Sequence, residues 1–578
     1  MRNDITIRIA GEGGEGVIST AEILTRAAVN SGLDVFTFRS YPAEIKGGLA
    51  MMQVRMSTEP LTSIGRDADV LMAFNQEAID VWGDRMSPGG ILLYDPRHGS
   101  VPPDYPFAHI PVPLHETAMK ETGARISKNI VALASMVNVL DMAPEYARDL
   151  IVKQFKRKGD EVVGTNLKAF EAGLGVLNGD PRLQAMRLAR PASPGKSDDR
   201  MIVSGNQSLS MGAIAGGCRF VGGYPITPAT QVLEFMMKHL PAFGGNVVQC
   251  EDEIAAIAAC MGASWAGARA MTATSGPGLC LMSELIGMAS MCEIPLVIAD
   301  VMRSGPATGM PTKTEQADLM YAIHGSAGES PRIVLAATSV ENCFQEAVRA
   351  FNLAERFQMP VILLSDQSMG YRTKTIMRPR ADGLRLDERV RAKTSGDAFR
   401  RFEDTETGVS PTMIPGTPGG TFVTTGLEHD ELGHASYTPE NRARMVNKRY
   451  RKLDTLRREL EADGDGIFDA PRGAEVGIIG WGSTEGTIAE VVAKLRGEGV
   501  NIAHYHPRVL NPLPVETVKR FVAPLKKVIV LEENYTGQLA QHLRGHVDLG
   551  KTEVVRVNQC SGLPFTPDEV NAAIAANA

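Results

Sequence analysis

Short apolar runs alternate with amphipathic stretches of helical length in three separate parts of this chain, and that alternation narrows its possible folds more than any other feature. The first run, "ITIRIA", leads into the glycine turn "GEGGEG", the helical pattern "VISTAEILTRAAVNSG" and a second run, "DVFTF". "DVLMAF" and "GILLYD" continue the series. A strand followed by a helix and another strand builds a parallel sheet with helices on its faces. The pattern returns from 201 to 375, with strands expected at "RFVGGY", "NVVQC", "RAMTAT", "PLVIADV", "RIVLAA" and "PVILLSD". It returns again from 472 to 578, at "EVGIIGWGS", "NIAHYHP" and "KVIVLEEN". The expected fold class is α/β, with three doubly wound, Rossmann-like domains in one chain.

Composition marks the joints. "PASPGKSDDR", residues 191–200, mixes Pro, Ser, Gly and charge as an exposed linker does, which closes a first domain at 1–190. Residues 376–471 form a long irregular connection rich in Pro, Gly and Thr, and connections of that length are usually functional or wrap a neighbour. Within it, "TPENRARMVNKRYRKLDTLRRELEAD" is expected to be a helix. Its bases are mixed with acids, so it is read as a solvated face and not as a nucleic-acid patch.

The net charge of −7 carries no polybasic footprint, which turns attention from nucleic acid to small molecules and proteins as partners. The start, "MRNDITIRIAGEGG", is too polar for a signal peptide, and no apolar run approaches the roughly 18 residues of a membrane span. No membrane association is expected, and the cytoplasm is the expected location. The cysteines at 218, 250, 260, 280, 292, 343 and 560 include no C-x-x-C pair of the kind that lets one loop wrap a zinc ion or an iron-sulfur cluster. They are read as small core residues, and no metal site is assigned.

Three motifs carry chemistry. Gly11, Gly13 and Gly16 satisfy G-x-G-x-x-G between a strand and a helix, where bare amides can approach a phosphate. A nicotinamide site also needs an acid at the end of the second strand, but that strand ends in Arg39 and Ser40, which disfavours an NAD-dependent dehydrogenase. Another phosphorylated ligand and a purely structural turn both remain open. In "GYPITPATQVLEFM", Thr227 reads as a helix N-cap and Pro228 as the first helical residue. Capping alone explains both, yet the position falls at the carboxyl end of a parallel sheet, where an anionic substrate would find free amides and the Thr hydroxyl.

The third motif is "VVQCEDEIAAIAACMGASWAGARAMTATSGPG". Acids in the first turn of a helix gain about 0.3–1 kcal/mol from its dipole, which accounts for Glu251 and Asp252. Glu253 heads a helix of small and apolar residues, so a neighbouring layer can approach and dehydrate it. Burial disfavours the charged form of a carboxyl and fits it to share or donate a proton.

With "SYPAEIKGG", "RSGPATGMPTKTEQADL", "GLEHDELG" and "KVIVLEENYTGQL" added, the chain resembles the 2-oxoacid:ferredoxin oxidoreductases over nearly its whole length. It is most similar to the 2-oxoglutarate type, as an alpha subunit with the gamma domain fused ahead of it. The resemblance implies a CoA-associated gamma domain, a thiamine-enzyme pyrimidine-type domain at 201–375 and a transketolase C-terminal-like domain at 472–578. It also implies conversion of a 2-oxoacid and coenzyme A to an acyl-CoA and carbon dioxide, with ferredoxin as electron acceptor, or the reverse. Thiamine diphosphate with magnesium would be shared with a separate beta subunit, which would also carry the iron-sulfur cluster. Two alpha-beta units are the implied assembly.

Glu253 matches the glutamate that hydrogen-bonds the aminopyrimidine ring and promotes its activation, Thr227 a threonine beside the substrate, and Arg303 an arginine that grips the oxoacid carboxylate, a task suited to a planar fork. Lys313 is the candidate for the distal carboxylate of a dicarboxylic substrate. Gly11, Gly13, Gly14, Gly16 and Lys46 are candidates for coenzyme A, with Lys46 standing where the family often has arginine. Two tempting metal motifs are set aside. "GDG" at 464–466 mimics a magnesium-diphosphate signature but sits in the polar tail of the charged helix, with no strand before it. His429 and His434 are five apart in a loop, whereas a helical zinc pair is four apart. Pyruvate or a branched 2-oxoacid is the alternative substrate, and a non-catalytic scaffold subunit the alternative role.

Overall fold

In the computed structural model, the stretch between the strands Asp34–Ser40 and Leu49–Ser57 is too short for a helical crossover, so the chain doubles back and these strands pair antiparallel. Leu49–Ser57 also pairs antiparallel with Asp4–Glu12, which in turn runs parallel to Ala68–Ala73. The first sheet is therefore mixed, which corrects the parallel sheet expected from the alternation. The run "LAMMQVRMS" supplies the extra strand, and its buried methionines carry little of the β-branched signature that marks strands in a sequence.

The structure describes residues 1–42, 47–191 and 199–577, which divide into two units. Unit one comprises Met1–Val203, Tyr371–Arg378 and Thr566–Asp568, and is built on the mixed sheet. In its strand Asp4–Glu12 every residue between the two ends is buried, as in a strand covered on both faces.

Unit two comprises Ser204–Gly370, Pro379–Phe565 and Glu569–Ala578. Its larger sheet runs in the order Val509–Asn511, Ile333–Ala336, Pro360–Asp366, Leu296–Met302, Ala270–Thr274, Phe220–Gly223, Asn246–Gln249. Its pairs are parallel except where Val509–Asn511 joins antiparallel at one edge. The smaller sheet runs Ile467–Asp469, Ile502–His506, Val476–Ile479, Lys527–Glu532, Glu553–Asn558. One apolar cluster joins the layers, with Ile298 and Ile362 of the first packed in the same core as Trp481, Tyr505 and Phe521 of the second.

The charged segment is a helix, Pro439–Asp463, but it is not simply solvated. Lys448, Arg449 and Lys452 are buried, with Lys448 and Lys452 both ion-paired to the buried Glu293. The inner face of this helix mixes these charges with the buried apolar residues Met445, Leu453, Leu456 and Leu460, and charge patterning along the sequence cannot reveal which bases turn inward. The cysteines also divide: Cys218, Cys260, Cys292 and Cys343 are buried, Cys250 is half-buried, and Cys280 and Cys560 are exposed, so the reading of them as core residues fails for the last two. Among the described residues no helix is long and apolar enough to cross a membrane.

Candidate active site

Four neighbouring parallel strands of the larger sheet in unit two run side by side in the order Leu296–Met302, Ala270–Thr274, Phe220–Gly223 and Asn246–Gln249. Each is followed closely by a feature singled out in the sequence. Arg303 follows the first, Gly276-Pro277-Gly278 the second, Thr227 the third and Glu253 the fourth. The carboxyl edge of an open α/β sheet is where ligands bind, because loops and helix N-termini there present free amides.

Glu253 is the first residue of the helix Glu253–Trp265 and is only 5% exposed. Asp252 is the N-cap, accepting from the Ala255 amide at 2.7 Å, so capping does not occupy the Glu253 carboxylate. Among the described residues that carboxylate has neither a hydrogen bond nor an ion pair. Gly278 lies in the first turn of the helix Gly276–Leu281, and a Cβ there would stand 2.7 Å from Glu253 Oε1 and 2.1 Å from Thr274 Oγ1, so only glycine lets this turn come so close.

Arg303 is 8% exposed and donates from Nη1 to the Thr227 carbonyl oxygen at 2.8 Å, which brings two of the expected substrate residues together. Its Nε is shielded and has no partner. Burial lowers the guanidinium pKa, with Asp318 acting in the opposite sense. Thr227 is not the N-cap that the sequence suggested. Residues 227–229 form a turn closed by the Thr230 amide on the Ile226 carbonyl at 3.0 Å, and the helix is Thr230–His239 with Ala229 before it. Lys313 is half-buried on the segment after Arg303, where its carbonyl accepts from the Ser304 amide at 3.1 Å and burial lowers its ammonium pKa.

That segment also holds a residue the sequence did not flag. Gln316 is fully buried and bonded at every polar group. Its amide donates to the Glu533 carbonyl at 2.6 Å and its Nε2 to the Trp481 carbonyl at 2.8 Å. Its Oε1 and carbonyl accept from the Glu533 amide and Asn534 Nδ2, each at 3.1 Å. The loop bearing Arg303 and Lys313 is thus pinned to the "KVIVLEENYTGQL" stretch. The one hint in the sequence was the polar run "PTKTEQ" beside a buried strand.

In unit one, Gly14 and Gly16 adopt positive φ, 96° and 86°, just before the helix Val17–Asn30. The loop is not an empty cradle, because Glu15 accepts from the Glu12 amide at 3.2 Å and is ion-paired to Lys128. Gly11 lies too close to Phe74 to carry a Cβ, which would stand 2.7 Å from the Phe74 Cβ, and Gly13 meets the Gly47 carbonyl oxygen at the same distance. Lys46 lies outside the described residues. Of the motifs set aside, Asp465 of "GDG" pairs with Arg349 at 2.8 Å and accepts from the amides of Arg508 and Val509 at 2.9 and 2.8 Å. His429 is buried against Phe402, with Nδ1 2.9 Å from the Leu427 carbonyl oxygen.

Unit two is thus an α/β enzyme layer with a ligand edge lined by a partnerless buried carboxylate and a partly satisfied guanidinium. Family models match three stretches: "Pyruvate ferredoxin/flavodoxin oxidoreductase" at 6–176, "Pyruvate flavodoxin/ferredoxin oxidoreductase, thiamine diP-bdg" at 211–448, and "Pyruvate:ferredoxin oxidoreductase core domain II" at 474–570. The chain is 34% identical to the 2-oxoglutarate oxidoreductase subunit KorA of Mycobacterium tuberculosis over 99% of this chain and 91% of that protein. It is 32% identical to subunit alpha of the 2-oxoacid:ferredoxin oxidoreductase 2 of Aeropyrum pernix, over 99% and 97%. A solved structure of the 2-oxoglutarate:ferredoxin oxidoreductase from Magnetococcus marinus, with 2-oxoglutarate, coenzyme A and succinyl-CoA bound, superimposes with a TM-score of 0.93 at 41% identity and covers 100% of both chains. The chain belongs to the 2-oxoacid:ferredoxin oxidoreductase family, among its alpha subunits.

Proposed function

We propose that this chain is the alpha subunit, with the gamma domain fused at its N-terminus, of an enzyme that converts 2-oxoglutarate and coenzyme A to succinyl-CoA and carbon dioxide and reduces ferredoxin, or runs the reverse carboxylation. The observation that carries the reading is the buried Glu253 carboxylate, which has no partner among the described residues and faces Gly278 in the first turn of the helix Gly276–Leu281, where only glycine fits. A buried carboxylate without a donor is costly unless something supplies one. The aminopyrimidine ring of thiamine diphosphate supplies such a donor, and the cofactor itself provides the carbanion chemistry.

In this reading Glu253 holds a proton between its carboxyl and the ring. Arg303 receives the substrate carboxylate on the edges not given to the Thr227 carbonyl, and the Thr227 hydroxyl lies beside it. Lys313 takes the distal carboxylate as a point charge. Coenzyme A is assigned to the Gly11, Gly13, Gly14, Gly16 and Lys46 loop, where Glu15 must give way to a phosphate. Magnesium, the diphosphate wall and the iron-sulfur cluster are assigned to a beta subunit. The Glu253 helix supports that division, because Ile254 and Trp265 on its outer face are 48% and 40% exposed and Met288 of a nearby helix is 40% exposed. Exposed apolar residues gathered on one face mark a protein interface.

The substrate assignment is tested by comparing 2-oxoglutarate with pyruvate in the assembled enzyme. Lys313→Met is expected to lower kcat/KM for 2-oxoglutarate by about ten- to a hundredfold, the worth of one charge-assisted contact, and to leave pyruvate nearly unaffected. Equal losses on both substrates remove Lys313 from the distal site. A wild-type enzyme that prefers pyruvate overturns the 2-oxoglutarate reading.

A further inference from the structure

Asp300, on the strand Leu296–Met302, is fully buried, and neither of its carboxyl oxygens meets a donor among the described residues. It lies within hydrogen-bonding reach of Asp318, whose Oδ2 is likewise shielded and without a donor. Two ionised carboxylates are acceptors only, so this contact is attractive only if a proton lies between them. The pair belongs to the wall of the ligand edge. A Cβ on Gly276, in the same helical turn that approaches Glu253, would stand 2.8 Å from Asp318 Oδ2. Asp318 also acts electrostatically on Arg303, whose buried Nε is unpartnered.

We propose that Asp300 and Asp318 form a one-proton carboxyl pair that takes up a second proton when a substrate carboxylate docks on Arg303. The inference rests on the reading of Arg303 as the carboxylate-binding residue, and it makes anion binding proton-coupled. Asp300 and Asp318 are positioning residues, since they act through Arg303. The proton comes from solvent and none passes to the substrate carbon.

The charges around the pair fix the direction. Burial pushes Asp300 well above the carboxylate range, with the charge of Asp318 adding to it. Burial, then the neighbouring Glu315, raises Asp318 to about 7, against the hydrogen bond from Asp300 and the charge of Arg303. The Cys280 thiol also senses both carboxyls, and its own pKa is raised by burial and by their charges. Above about pH 7 the free pair therefore holds one proton, and below it two. An anion on Arg303 screens that cation from Asp318 and adds a like charge, so Asp318 binds its proton more tightly. By reciprocity, affinity for the anion falls as pH rises above about 7.

The experiment is calorimetric titration of the assembled enzyme with 2-hydroxyglutarate, which keeps both carboxylates and lacks the reactive carbonyl, in buffers of different ionisation enthalpy from about pH 6 to about pH 9. Proton uptake that grows as pH rises above neutrality, and that is lost in Asp318→Asn, is the expected result. Absence of uptake in the wild type, or its persistence in Asp318→Asn, overturns the proposal. Infrared spectroscopy at alkaline pH gives a second measurement: the carbonyl stretch of a protonated carboxyl is expected in the wild type and absent in Asp300→Asn, and its persistence there also overturns it. Arg303→Gln separates the two layers of the argument. If it binds the probe as tightly as wild type, the reading of Arg303 fails and this proposal with it. If it binds weakly while the wild type shows no uptake, only this proposal fails.

Discussion

Glu253→Gln is expected to lower kcat of the assembled enzyme by about 10²- to 10⁴-fold, the usual worth of a positioned proton-transfer group, with little change in KM for the oxoacid. Glutamine preserves the volume against Gly278 and Thr274, where the fit is close, but replaces a carboxylate that can hold a proton with an amide that cannot. A loss in kcat with KM retained is the pattern of a residue that acts on the cofactor and not on the substrate. Asp252 keeps the helix capped in the variant, so stability should change little, and circular dichroism of the purified complex checks that. Turnover within a fewfold of wild type would remove Glu253 from the chemistry and favour a scaffold role for the chain. The reverse pattern, a raised KM at constant kcat, would move Glu253 to the substrate side.

Much of this site could be read in the sequence because its residues sit at strand ends, where glycine, proline and capping acids punctuate the chain. Glu253, Thr227 and the Gly276-Pro277-Gly278 start of the helix Gly276–Leu281 all follow apolar runs short enough to read as buried strands, and four such strands lie side by side in the sheet. What was not legible depended on contacts between distant segments. The mixed sheet of unit one arises from a Met-rich strand with a weak local signal. Gln316 and Asp318 carry little local signal, since only the approach of Glu533 and Asn534 buries and bonds Gln316, and only the approach of Gly276 closes over Asp318. The Thr227 turn shows a different limit, since a Thr-Pro pair before an amphipathic run matches the signature of a helix start even when a further turn intervenes.

The buried charges under the helix Pro439–Asp463 give the largest expected effect on stability, and the effect should be unequal for the two partners. Glu293 receives Lys448 at 2.5 Å and Lys452 at 2.6 Å, and Arg401 donates to its backbone carbonyl at 2.8 Å, so one carboxylate answers several cations. Burial opposes ionisation of Glu293, yet Lys448, Lys452 and Arg401 together hold its pKa well below the usual carboxylate range. For Lys452 burial wins over the pull of Glu293 and lowers its pKa to about 7. Glu293→Gln leaves the cations without an anion, and about 3–5 kcal/mol of stability should be lost, read as a lower urea midpoint. Lys452→Met leaves Glu293 still matched by Lys448 and Arg401 and removes an ammonium that burial already disfavours, so its midpoint should lie near or above that of wild type. The signs with pH follow. Glu293, with a depressed folded value, contributes stability that is complete above its unfolded pKa and is lost only in strong acid. Lys452, with a folded value near 7, binds its proton more weakly folded than unfolded, so its share of stability rises between about pH 7 and the ordinary lysine value. That alkaline rise should vanish in Lys452→Met. A rise of equal size in the variant would show that the titrating group lies elsewhere, and equal destabilisation by both substitutions would show that the cations share the single carboxylate evenly.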